Sequence, residues 1–204
     1  MASGDTKLTI CSDAMILLGA AEISSFGEGS DGAKVADRLY DDLRDQILTM
    51  YPWSWSLKKS QLARLVDAPT NEWTYKYALP ADILGNPRAV FASSAAGAAP
   101  VKQWEMYGNE LYTDYAAVWI DYQTRPQESA FPPYFVRLLR TACAAEFAEA
   151  VTDQTTKGDY FRALAFGNPA ENHRGGLFRV AANIDAQGTP PQVIEDYSLI
   201  EVRN

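Results

Sequence analysis

Four carboxylates, Glu105, Glu110, Asp114 and Asp121, sit among Trp104, Tyr107, Tyr112, Tyr115 and Trp119. Acids interleaved with aromatics are how glycosidases and sugar-binding surfaces are built, with one carboxyl protonating the leaving oxygen and a second acting from the other face of the ring. The same residues also make a plain small sheet, aromatics packed on one face and acids solvated on the other. Charged side chains among strand aromatics are common, so the sheet is the preferred reading and a glycan site the alternative.

Nucleophilic catalysis needs a nucleophile, a base and a group that orients the base. His173 is the single histidine, in "NPAENHRGG", and the chain has no nucleophile-elbow motif. It reads as a surface or capping residue. The glycine-rich "GEGSDG" lacks the lysine and preceding strand of a phosphate-binding loop, and reads as a hinge between helices. Cys11 and Cys143 with His173 cannot complete a structural zinc site without carboxylate help, and no metal-ligand spacing occurs. A disulfide requires their two helices to touch. The start "MASGDTKLTICSD" has none of the features of a secretory signal, which favours buried free thiols. No enzyme activity and no cofactor are expected.

The elements that must position these residues follow from the apolar spacing. Residues 5–19, "DTKLTICSDAMILLG", read as a helix capped by Asp5 or Thr6, striped by Leu8, Cys11, Met15 and Leu18, and stopped by Gly19. "SDGAKVADRLYDDLRDQILTMYP" is the clearest helix, with Val35, Leu39, Leu43 and Ile47 every four residues and Ala36 and Tyr40 beside them, a cap at Ser30 or Asp31, and Pro52 after its end. Its "DRLYDDLRDQ" charges read as a solvated face, or as a face toward another subunit. From Trp53 to Arg125 the helical period is lost. "WSWSLKK", "WTYKYALP", "RAVFAS", "ELYTDY" and "AVWIDYQTR" read as strands between turn-forming segments, and "ASSAAGAAP" as a loop tip. Helical period returns in "PYFVRLLRTACAAEFAEAVT", where Phe135, Leu139, Ala142, Phe147 and Val151 face one way. A further helix or pair of helices follows, broken at Gly-Asn-Pro 167–169. The closing "GTPPQVIEDYSLIEVRN" cannot continue a helix through its two prolines. Its Val193, Ile194, Tyr197, Leu199, Ile200 and Val202 carry apolar surface that a lone tail cannot bury, so it is expected to have a partner.

The fold class is therefore α+β: an antiparallel bundle of four or five helices, a β-rich insertion between helices two and three, and an extended C-terminal arm. Residues 1–52 and 131–187 form one discontinuous helical domain, 53–130 the insertion and 188–204 the arm. Trp53 and Trp55 in "PWSWSLKKSQLARL" flank a single serine, so on a strand both indoles point the same way. With Pro52 ending the helix before them, they read as the filling of a corner from helix to sheet. The net charge of −8 argues against tight, sequence-independent wrapping of DNA. It suits a wall that keeps DNA from sticking. No apolar run approaches the ~20 residues of a membrane-spanning helix.

The succession "LLGAAEISSFGEGSDGAKVADRLYDDLRDQIL", "YPWSWSLKKSQLARL" and "EWTYKYALPADIL" resembles the tail tubular protein A family of short-tailed phages. The later "LFRVAANIDAQGTPP" is similar to that family's closing helix and proline-containing tail. The resemblance spans nearly the whole chain and is most specific over 50–84, while "AFGNPAENHRGG" is longer or more broken than the family's usual final helices. It implies a structural virion protein, a head-to-tail adaptor assembled in the host bacterial cytoplasm. Such proteins form a homo-oligomeric ring, commonly a dodecamer, between the portal and the tail tube or nozzle. DNA passes through the lumen without specific binding. The helices then build the ring wall, the β insertion contacts the tail side, and the C-terminal arm reaches the portal through Val193, Ile194, Tyr197, Leu199, Ile200 and Val202.

Overall fold

A computed structural model of the chain describes residues 4–188. Among them five helices and seven strands make an α+β fold. The helices are α1 (Lys7–Leu18), α2 (Asp31–Met50), α3 (Pro133–Thr152), α4 (Thr155–Phe166) and α5 (Gly176–Ala186). Between α2 and α3 lie β1 (Leu57–Gln61), β2 (Ala63–Arg64), β3 (Tyr75–Ala78), β4 (Ala89–Phe91), β5 (Glu105–Tyr107), β6 (Glu110–Thr113) and β7 (Trp119–Gln123). The arm residues Val193 to Val202 lie outside the described residues.

Helix α1 starts at Thr6, whose side chain accepts from the Thr9 amide while the Thr9 hydroxyl accepts from the Thr6 amide. Gly19, at φ 72°, closes it in the left-handed conformation. Helix α2 is capped by Ser30, but its stripe is rotated from the expected one. Ala33, Ala36, Tyr40, Leu43 and Ile47 are buried, Val35 is half-buried and Leu39 is exposed. Ala36 and Tyr40, expected beside the stripe, lie at the centre of the contact face, with Ala33 added one turn before.

Helix α3 occupies its expected span, and α1, α2, α4 and α5 all pack against it. Burial therefore continues around it: Val136, Leu138 and the run Thr141–Ala145 are buried along with Phe135, Leu139, Ala142 and Phe147. Its alanines let neighbours approach closely. At the crossing with α4, a Cβ on Gly158 would lie 3.3 Å from the Ala145 carbonyl. The break at Gly167 is present, and α5 begins at Gly176, where φ is 50° and a Cβ would stand 2.4 Å from the Leu164 carbonyl. No larger residue fits there without moving backbone.

The strands form two antiparallel sheets, ordered β1-β7-β4 and β2-β3-β6-β5. The chain passes between them at buried Leu62, whose amide donates to the Val118 carbonyl. Leu62, Tyr77, Val90, Leu111, Val118, Ile120 and Tyr122 make one apolar cluster, distinct from the larger one built by the helices. Strands β2 and β5 are additional to the segments expected as strands. Residues 53–56 are not strand: Ser54–Ser56 is a single 3-10 turn, and extended pairing starts only at Leu57, opposite Gln123.

The loop between α1 and α2, expected as a hinge, is knit together by one carboxylate. Glu28 accepts from the Ser30 hydroxyl (2.6 Å), the Ser24 hydroxyl (2.7 Å) and the Ser24 and Ser25 amides. Those bonds, the Ser30 hydroxyl foremost, hold its carboxyl down to about 2. A depressed folded-state value means that the stabilisation is complete above the ordinary glutamate value of 4.5 and disappears as pH falls toward 2. Glu28→Gln is accordingly expected to lower the melting temperature at pH 7, with the gap to the parent closing between pH 4.5 and 2. Thermal scans across that range measure it, and a gap that persists unchanged at pH 2 would contradict the assignment.

Candidate functional site

The aromatic and acidic residues of the strand block do come together, but not as a sheet with aromatics on one side and acids on the other. Glu105 pairs with Tyr112 and Tyr107 with Glu110 across the β5–β6 hairpin, which places all four on one face. Leu111, buried, points to the other face. The Tyr107 hydroxyl donates to Glu105 and that of Tyr112 to Glu110, both at 2.5 Å, and the tyrosine rings meet edge to face at 5.4 Å. The Trp73 indole also donates to Glu105. These donors, Tyr107 first, hold the Glu105 carboxyl below the usual carboxylate range. The acid of a glycosidase needs the opposite shift, upward, to carry a proton at neutral pH. Asp114 accepts from the Thr74 amide and hydroxyl, and Asp121 stands 3.9 Å from Lys59. Each of these carboxylates therefore has a partner of its own within the strand block.

His173 is exposed, in a left-handed turn with Asn172 (φ 57° and 52°), and lines a cleft of about 390 Å³ between α2 and α4. Leu43, Met50 and Phe166 supply apolar wall, and Arg162, Arg174 and Glu146 the charge. Cys11 and Cys143 are buried free thiols. Burial pushes the Cys11 thiol up to about 12 and raises that of Cys143 as well, the opposite of what a reactive cysteine requires. The acidic stretch of α2 is partly internal. Arg44, only 8% exposed, is bonded to Asp45 and Glu128 and sits 2.9 Å from Asp41. Asp45 also takes Arg125, from beyond β7. That network ties α2 to the segment leading into α3.

The most heavily determined locus is the tryptophan corner. Helix α2 ends without a glycine, so its last carbonyls need other donors. The Trp53 indole donates to the Ile47 carbonyl, and the Gln123 amide donates to the carbonyls of Leu48 and Tyr51 and to the Ser56 hydroxyl. Trp53 is fully buried, with Phe135 and Phe178 edge-on at 5.1 and 5.9 Å, while Trp55 lies 4.8 Å from Phe135 and 5.4 Å from Phe131. Buried Asp185, on the last turn of α5, accepts from the Ser54 amide and hydroxyl (2.8 Å each) and the Tyr134 hydroxyl (2.7 Å). The sequence offered no signal for Asp185.

The sequence matches no protein-family model and no curated protein sequence.

Hydrogen bonds to a buried charge contribute about 1.5–3 kcal/mol, against about 0.2–1 kcal/mol for an exposed ion pair. Asp185→Ala is expected to destabilise the chain by about 3 kcal/mol, because the Ser54 amide and Tyr134 hydroxyl lose their acceptor. Ser54→Ala, which keeps the amide bond, should lose about 1 kcal/mol. Urea midpoints at constant slope measure both. An Asp185→Ala loss no larger than that of an exposed acid such as Asp159→Ala would refute the corner's role.

Proposed function

We propose that this chain is a head-to-tail adaptor of a tailed phage: a structural virion protein that closes into a ring, twelvefold by family precedent, between portal and tail tube or nozzle. In this reading the five helices are an antiparallel bundle forming the ring wall, the strand block is an insertion on the tail side, and the arm from residue 188 onward engages the portal. DNA passes through an acidic lumen that repels its phosphates. The protein turns nothing over and uses no cofactor.

Exposed apolar side chains on two different helix groups carry this reading. Ile16 and Leu17 on α1 are 54% and 43% exposed, and Tyr160 and Leu164, one turn apart on α4, are 65% and 40% exposed. A ring needs two unlike patches on each subunit, since a head-to-tail contact joins different surfaces. Single exposed apolar residues are ordinary on a monomer; two such pairs on separate helices are surface that a head-to-tail contact can use. Glu105, held below the usual carboxylate range, does not suit the acid role of a glycan hydrolase.

Removing Val193–Asn204 should leave a folded chain that still unfolds cooperatively and no longer co-sediments with the cognate portal. Retained docking by the folded, truncated chain would overturn the role given to the arm.

A further inference from the structure

Strand β5 is an edge of its sheet: among the described residues it pairs with β6 alone. Gly108 and Asn109 join the two strands as a two-residue turn, so Tyr107 and Glu110 exchange the hydrogen bonds nearest the turn and the pairing alternates from there. Met106, opposite Leu111, then belongs to a non-hydrogen-bonded pair, and its N–H and C=O point away from β6 to the open edge. Glu105 and Tyr107, on either side of it, are exposed.

The side chains along that edge are anionic and aromatic. Glu105 accepts from the Tyr107 phenol and the Trp73 indole, both neutral donors, on one carboxylate oxygen, Oε2. Its Oε1 has no hydrogen-bond partner among the described residues. The two donors lower the carboxyl without help from a cation, so the charge is fixed in place and uncompensated. Exposed Glu72 adds to the negative potential at Tyr107. Lys76, which shares this face across Tyr112, is only 15% exposed and stands 3.9 Å from Glu110 instead. A carboxylate with one free oxygen beside flat rings suits a guanidinium, which bonds the acid and stacks on a ring at once.

We propose that the open edge of β5 takes an extended segment of a partner protein as a fifth strand, antiparallel to β5, with an arginine of that segment opposite Glu105. Strand alternation sets the rest of the motif. The residue before the arginine lies opposite Met106, exchanges both backbone bonds with it and turns its side chain to the Met106–Leu111 face, where an apolar group fits. Strand β5 has three residues, so few backbone bonds form and the arginine supplies the selectivity. This is independent of the adaptor reading. Where that reading also holds, the strand block faces the tail and the partner is on the tail side.

NMR titration of the full-length chain with the peptides Ac-TTVRT-NH2 and Ac-TTVET-NH2 tests the proposal. The arginine peptide should shift amides of 103–112, Met106 foremost, with a dissociation constant of about 1 mM, and the glutamate peptide should bind at least about tenfold more weakly. Glu105→Arg should reverse that preference. Met106→Pro, which removes an outward N–H and no bond to β6, should abolish binding of both peptides. No shift at peptide concentrations well above that constant, or shifts confined to residues outside 103–112, would overturn the docking. Equal binding of the two peptides would overturn Glu105 as the selecting group, and binding untouched by Met106→Pro would overturn strand addition at this edge.

Discussion

The structure depends on how helix α2 ends. A helix that stops at Met50 without a glycine, before a proline, leaves carbonyls inside an apolar core, where unpaired polar groups are costly. The Trp53 indole and the Gln123 amide satisfy those carbonyls, and each belongs to a different part of the fold. Trp53 carries the aromatic packing that joins α2 to α3 and α5. Gln123 is the last residue of β7, the central strand of its sheet. One helix end is thus the fastening point of both hydrophobic clusters.

The surrounding contacts reinforce that point. Asp185 binds the Ser54 amide at the start of the 3-10 turn, so the final turn of α5 is fixed against the corner. Tyr134, at the start of α3, shares the same carboxylate. The Arg44 cluster, with Asp45 shared by Arg125, closes the other route from the strand block back to the helices. These contacts fasten the strand block to the helices at two places, as the proposed joint between two larger assemblies would require. The fixed end of α5 would also give the arm that follows a defined point of departure.

Much of this was legible in the sequence because it is local. Helix α3 is bounded by Pro132 and Pro133 and keeps a helical period throughout, so its limits follow from the residues alone. The Thr6 and Ser30 caps are equally local. What escaped was set by distant partners. Ser54 and Asp185 are separated by 131 positions, and nothing near either residue announces the other. Strand periodicity placed Trp53 and Trp55 on one face of a strand, whereas the need to cap α2 and fill the gap against Phe135 turns that segment into a 3-10 corner. Strands of two or three residues, such as β2 and β5, are too short to carry a period. The Gly108–Asn109 turn joining β5 and β6 was nevertheless a readable hairpin signal. The tyrosine–glutamate face followed from that missed register: without β5, nothing set Glu105 opposite Tyr112.

The central functional claim is that this chain closes into a ring and seats on a portal. Negative-stain electron microscopy of the purified protein, alone and mixed with its cognate portal, tests it most directly. The account predicts rings, or a collar added to the portal vertex. Monodisperse monomers that leave the portal unchanged would contradict it.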